Sequence, residues 1–165
     1  MSTAVVRQRG EGEYLAFAGG GTLTIKAGSA DTGGSLMVFE DRVVRGKTTP
    51  LHLHPNLEEV IYVVEGEILA YVDGQEWPVG AGGILIIPRG VPHALLVTSE
   101  TGRLLCAVVP GTGEAFFREA SDPAASESEL RRPDFERLEA VAARSDSIEV
   151  LGPPPFAAIR HARPA

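Results

Sequence analysis

Three of the four histidines in the chain fall in two short stretches that also carry acidic residues and turn formers. In residues 46–66, His52 and His54 are separated by one residue, so on an extended strand both imidazoles project from the same face. Pro55 and Asn56 break that strand, and Glu58 or Glu59 then re-enters a run of β-formers, residues 60–64, that ends at Gly66. In residues 82–93 an apolar run, 84–87, leads through a corner of Pro88, Arg89 and Gly90 to His93. Two imidazoles aimed together, a carboxylate folding back beside them and a third imidazole from a neighbouring strand form a metal-ligand set. Neutral imidazole and ionised carboxylate suit iron, nickel, manganese, cobalt or zinc. A lone histidine is ordinarily a satisfied core or surface residue, but this spacing, in a chain otherwise nearly free of histidine, points to one divalent transition metal.

The elements that must position these residues are short strands. With 165 residues the chain has room for one domain with a full core, and 19 glycines and 12 prolines indicate many turns, so an all-β fold is expected. The formal net charge of -7 and scattered basic residues argue against nucleic acid as a partner. No stretch reaches the apolar length of a membrane span, and Arg9, Glu11 and Glu13 stand where a signal peptide needs an apolar core, so a cytoplasmic protein is expected. The single cysteine, Cys106, lies among Leu104, Leu105, Ala107 and Val108 and reads as a small packed hydrophobe.

Along the chain, residues 1–11 read as a loose arm or one ordered by a partner subunit, 12–112 as an antiparallel sandwich or barrel, and 113–165 as a helical extension and tail of the same domain. Strands are expected at 14–18, 22–26 and 35–39, with Glu40, Asp41 and Arg42 as a solvated end or turn. Asp73 and Gly74 make a hairpin turn between 67–72 and 75–79. Trp77 in the second of these strands reads as a packing residue. Residues 94–98 and 103–109 complete about ten strands, and Leu95 and Val97 share the face of His93. A short helix is expected at 114–120, presenting Phe116 and Phe117 to the barrel end or a second subunit, then a loop at 121–129. Pro133 opens a helix with Phe135, Leu138 and Val141 or Ala142 on one face, and 148–151 can pair at a sheet edge. His161 reads as a solvated tail residue.

The two stretches resemble the motifs of the cupin superfamily. Gly46, His52, His54, Glu59 and Gly66 match the first motif, and Gly82, Pro88, Gly90 and His93 match the second, with Val97 where the family has asparagine. The resemblance assigns the carboxylate ligand to Glu59, because that residue leaves six before Gly66; strand alternation through Pro55 leaves Glu58 and Glu59 open. It implies a cupin jelly-roll barrel, a double-stranded β-helix, with the metal in its mouth. Residues 67–81, a link of fifteen, are similar to that of compact microbial members. Beyond the motifs, TLTIKA, DTGGSLMVFE, GTGEAFFREA and the segment ending in LGPPP look like the bacterial single-domain cupins labelled quercetinase-like.

That resemblance implies a metal-dependent dioxygenase that uses O2 to cleave an aromatic or enolisable small molecule, with Glu59 serving as both ligand and base. The alternatives are a non-redox zinc cupin acting as a polyketide cyclase or isomerase, and a small-molecule-binding cupin without turnover. Met37, Phe39, Ile61, Leu95, Val97, Phe116 and Phe117 are the candidates for an apolar substrate pocket. A homodimer is expected, because barrels of this kind commonly cover a sheet edge with a twin.

Overall fold

The computed structural model describes residues 4–157; His161 lies outside them. Among the described residues, twelve strands form two antiparallel sheets that face each other, with few short helices. The seven-stranded sheet contains β1 (Glu13–Phe17), β2 (Thr22–Ala27), β3 (Met37–Val44), β5 (Glu58–Glu65), β8 (Ile84–Ile87), β10 (Thr101–Val109) and β11 (Ser121–Pro123), in the order β11-β1-β2-β3-β10-β5-β8. The five-stranded sheet contains β4 (Leu51–Leu53), β6 (Glu67–Val72), β7 (Gln75–Gly80), β9 (His93–Val97) and β12 (Glu149–Gly152), in the order β12-β4-β9-β6-β7.

Side-chain alternation decides what each strand buries. On β5, Glu59, Ile61 and Val63 point inward while Tyr62 and Val64 remain exposed. Pairing carries this into rows across the sheet: Met37, Val108 and Glu59 lie abreast, then Phe39, Cys106 and Ile61, then Asp41, Leu104 and Val63. On the facing sheet His93 lies opposite both His52 and Val72, Leu95 opposite Ala70, and Val97 opposite Ile68. Gly66 lets β5 turn into β6: its φ is 87°, and a Cβ there would meet the Thr101 carbonyl oxygen at 2.5 Å. Asp73 and Gly74 form the expected hairpin turn with φ of 47° and 86°, both in the left-handed region that such a turn demands.

The extension is packed onto the barrel by its aromatic residues. Phe116 and Phe117, on α2 (Glu114–Glu119), are buried within the same chain against Phe17 and Phe39, with ring centroids 4.9–6.2 Å apart. Of the two settings expected for them, the barrel end is the one seen. The helix expected after Pro133 is α3 (Phe135–Ala142); the Asp134 carboxylate caps it by accepting from the Arg137 N–H, and Leu138, Val141 and Ala142 are buried. Phe156, fully buried, covers Ala94 and Leu96 on the outer face of the smaller sheet.

Several local expectations need correction. Glu40, Asp41 and Arg42 do not end a strand; they continue β3 to Val44. Alternation makes this possible, sending Glu40 and Arg42 outward to Arg103 and Glu127 while Asp41 turns inward. Residues 121–123 form β11 against β1 where a loop is expected, and a single helical turn, α1 (Ser29–Thr32), follows β2. Trp77 is 54% exposed on an edge strand, so it is not a packing residue of this chain's core. Residues 7–11 lie against their own chain, with Lys26 Nζ donating to the Gln8 and Glu11 carbonyls at 2.8 Å and Arg7 paired with Asp31 at 3.0 Å. No helix among the described residues is long and apolar enough to cross a membrane.

Candidate metal centre

The centre is assembled where the two sheets face one another. His52 sits in the middle of β4 with His54 just beyond its end, Glu59 is the second residue of β5, and His93 opens β9. All four are buried, and one ligand atom from each lies within 4.8 Å of the others. Glu59 Oε2 is 3.2 Å from His93 Nε2 and 3.5 Å from His54 Nε2. The three imidazole centroids are 4.2–5.3 Å apart. Glu58, left open by alternation, is exposed and faces Arg89 at 3.7 Å, away from this cluster.

Backbone carbonyls hold the rings in place. Nδ1 of His52 lies 2.9 Å from the Pro50 oxygen, Nδ1 of His54 2.8 Å from that of Ser147, and Nδ1 of His93 2.9 Å from that of Val91. A carbonyl oxygen only accepts, so each Nδ1 must be the donor, which leaves the Nε2 lone pairs for the centre. Three such nitrogens and a carboxylate fit a first-row divalent ion. The sequence gives no signal for Pro50, Val91 and Ser147, because they act through main-chain oxygen.

The groups of the cluster shift one another strongly. Burial, reinforced by the neighbouring charges of His93 and His54, holds His52 down to about 3, so its ring is neutral. Burial opposes ionisation of Glu59, yet the hydrogen bonds and charge of His54 and His93 outweigh it and keep this carboxyl well below the usual range. His54 is pulled down by burial but pushed up more strongly by Glu59, and the balance raises it.

Beside the centre lies a cavity of about 80 Å³. Of the pocket candidates, Phe39, Ile61, Leu95, Val97, Phe116 and Phe117 line it; Met37 does not, being fully buried in the core one row away from Phe39. Cys106 lines it too as a buried thiol, pushed well up by burial and by the charges of Glu59 and Asp41, which leaves it protonated and unreactive. Sequence reasoning missed four polar lining residues, Asp41, Lys47, Thr48 and Thr49. For Asp41 the signal was a charge at an inward position of a strand.

Residues 40–109, a span that contains all four cluster residues, match the Cupin domain family. The chain is 34% identical over 107 residues to L-ectoine synthase of Halomonas elongata, an alignment covering 63% of this chain and 77% of that protein. It is also 30% identical over 118 residues to quercetin 2,3-dioxygenase of Bacillus subtilis, covering 72% of this chain and 35% of that protein. The chain thus spans about a third of the length of the dioxygenase. Among solved structures, an RmlC-like cupin from Shewanella frigidimarina superposes with a TM-score of 0.57 at 23% identity, covering 70% of this chain and 99% of that one. Motifs, fold and relatives agree, and the chain belongs to the cupin family.

Proposed function

We propose that this cupin is a metal-dependent dioxygenase of a small aromatic or enolisable molecule. The observation that carries this reading is Glu59, a buried carboxylate held ionised among three imidazoles and opening onto an apolar cavity. His52, His54, Glu59 and His93 would hold iron, nickel, manganese, cobalt or zinc; when bound, a redox-capable ion supplies the electrophilic centre at which an enolate and dioxygen meet. Glu59 takes the proton of the substrate's enolic hydroxyl. Phe39, Ile61 and Leu95 exclude water around the reacting carbon, which strengthens each electrostatic contact. The likeness to quercetin 2,3-dioxygenase supports the oxidative chemistry.

Metal-free protein given iron(II), nickel(II), cobalt(II) or manganese(II) and a panel of enolisable phenols should consume oxygen with loss of the substrate's absorbance. Absence of uptake with every metal would reject the reading. A second reading, non-redox cyclisation or isomerisation with zinc, draws support from the larger share of L-ectoine synthase that the chain covers. Turnover under nitrogen would select it, and tight binding without turnover would select a binding protein instead. In solution the protein is proposed to pair with a second copy through the outer face of the larger sheet. Tyr62, Ile84, Ile86 and Leu105 are neighbours there and stay exposed.

A further inference from the structure

We infer that the buried pair of Asp41 and Lys47 is a second anchor, at the end of the cavity away from the metal centre. It receives a hydroxyl, or a group that likewise donates and accepts, at the far end of a substrate with the bulk of one ring. The inference rests on the reading of His52, His54, Glu59 and His93 as a metal site that grips the substrate's other end.

Strand register places the pair. Asp41 is four residues along β3 from Met37, which lies in the row of Glu59. The carbonyl of Lys47 accepts from the Val97 N–H at 2.9 Å, and Val97 is four residues along β9 from His93. Both residues therefore stand about 13 Å of strand away from the ligand rows. One comes from each side of the barrel, and they meet in an ion pair between Lys47 Nζ and Asp41 Oδ2. Both line the same cavity as the four cluster residues.

The pair is incompletely satisfied. Asp41 is 8% exposed and its Oδ1 has no hydrogen-bond partner among the described residues. The Lys47 side chain is 9% exposed and, among the described residues, its ammonium donates to Asp41 alone, leaving two N–H groups. A buried pair of this kind is weak evidence for stability, and an orphaned carboxylate oxygen counts against it. The Gly21 backbone packs directly against the pair: a Cβ there would stand 2.7 Å from Asp41 Oδ1 and 2.9 Å from Lys47 Nζ.

The missing partner must give a hydrogen to Oδ1 and accept one from Nζ. A hydroxyl does both. A carboxylate would satisfy Lys47 but face the Asp41 anion, and an ammonium would satisfy Asp41 but face the Lys47 cation. Phe39, Ile61, Leu95, Val97, Leu104 and Cys106 line the cavity together with Thr48 and Thr49, so the body of the ligand is largely apolar. A cavity of about 80 Å³ is far smaller than the roughly 300–1,000 Å³ of drug-sized sites. One ring is the matching scale, and a three-ring flavonol exceeds it.

The test uses full-length, metal-loaded protein with metal content measured, titrated calorimetrically with 4-hydroxybenzoate, 4-methylbenzoate and terephthalate. The hydroxy acid should bind about tenfold more tightly than its methyl isostere, the effect of one hydrogen bond to a charged group, and terephthalate should bind more weakly still. In the double variant Asp41→Leu/Lys47→Met, which removes both charges together, the ratio of hydroxy to methyl acid should fall to about one. Equal affinities in metal-replete wild type would overturn the anchor and leave the metal centre standing; this is also the result if the pair merely holds a water. Failure to load metal would overturn the underlying reading and the anchor with it. If the double variant does not fold, the ranking of the three acids by wild type still decides.

Discussion

The Nδ1–H of His54 donates to the carbonyl oxygen of Ser147, 2.8 Å away and 93 residues further along the chain. The orientation of one proposed metal ligand is therefore set by the C-terminal extension, outside the span that matches the family. The turn that presents this carbonyl is itself fastened. The Ser147 N–H donates to Ser145 Oγ at 3.2 Å, and Asn56 Nδ2, two residues past His54, donates to the Asp146 carbonyl at 3.1 Å.

Loosening that turn should weaken the metal centre without touching a ligand. An Asn56→Ala/Ser145→Ala variant is expected to lose up to about tenfold in metal affinity, the lower end of the range for partners that orient a ligand. Competition against a coloured chelator measures this. Unchanged affinity would show that the turn does not control the ring.

Metal should also be the main lever on stability. Any ion bound only by the folded chain stabilises it by about 2.7 kcal/mol at a hundredfold excess over Kd, so adding nickel(II) or cobalt(II) to metal-free protein should raise Tm. Glu59→Gln keeps the side-chain volume but removes the anion, and it should abolish most of that rise. Glu58→Gln, altering an exposed carboxylate that faces Arg89, should leave it intact. The reverse pattern would move the carboxylate ligand to Glu58.

How far the sequence could be read followed from how local each signal is. His52 and His54 announced a shared face by their spacing, and the Asp73 and Gly74 turn announced itself by composition. Choosing Glu59 over Glu58 was beyond alternation, because Pro55 resets the phase of the strand; only the motif spacing distinguished them. Asp41 was misplaced because a run of three charges looks solvated, and its ion pair with Lys47 from the turn after β3 is a tertiary contact. The carbonyls of Pro50, Val91 and Ser147 were invisible, since every residue carries one. Short β11 was missed for a related reason: its pairing with β1 is a tertiary event, and residues 121–123 have no strand composition.

The outer face of the larger sheet predicts association. Ile84 and Ile86 are 56% and 66% exposed on the edge strand β8, next to Tyr62. Wild type should sediment as a dimer at micromolar concentration, and Ile84→Lys/Ile86→Lys should sediment as a monomer with unchanged metal content. A monomeric wild type would remove the proposed pairing.

Glu114 predicts a specific response to acid. Its carboxylate accepts from the Ser29 N–H and from Arg118 Nε, tying α2 to the first turn of α1. Burial alone would raise its pKa, but the Ser29 and Arg118 hydrogen bonds outweigh burial and lower it below the ordinary 4.5. A carboxyl whose folded value is depressed stabilises the native state fully above its unfolded value and loses that contribution as pH falls through the folded value. Glu114→Gln should therefore cost roughly 1–2 kcal/mol at neutral pH, the scale of a buried hydrogen bond to a charged group. Urea denaturation of the two proteins should show that gap closing as the pH drops past 4.5 and on through the lower folded value. A gap that stayed constant into acid would mean that shape at this position, and not its charge, holds the helix.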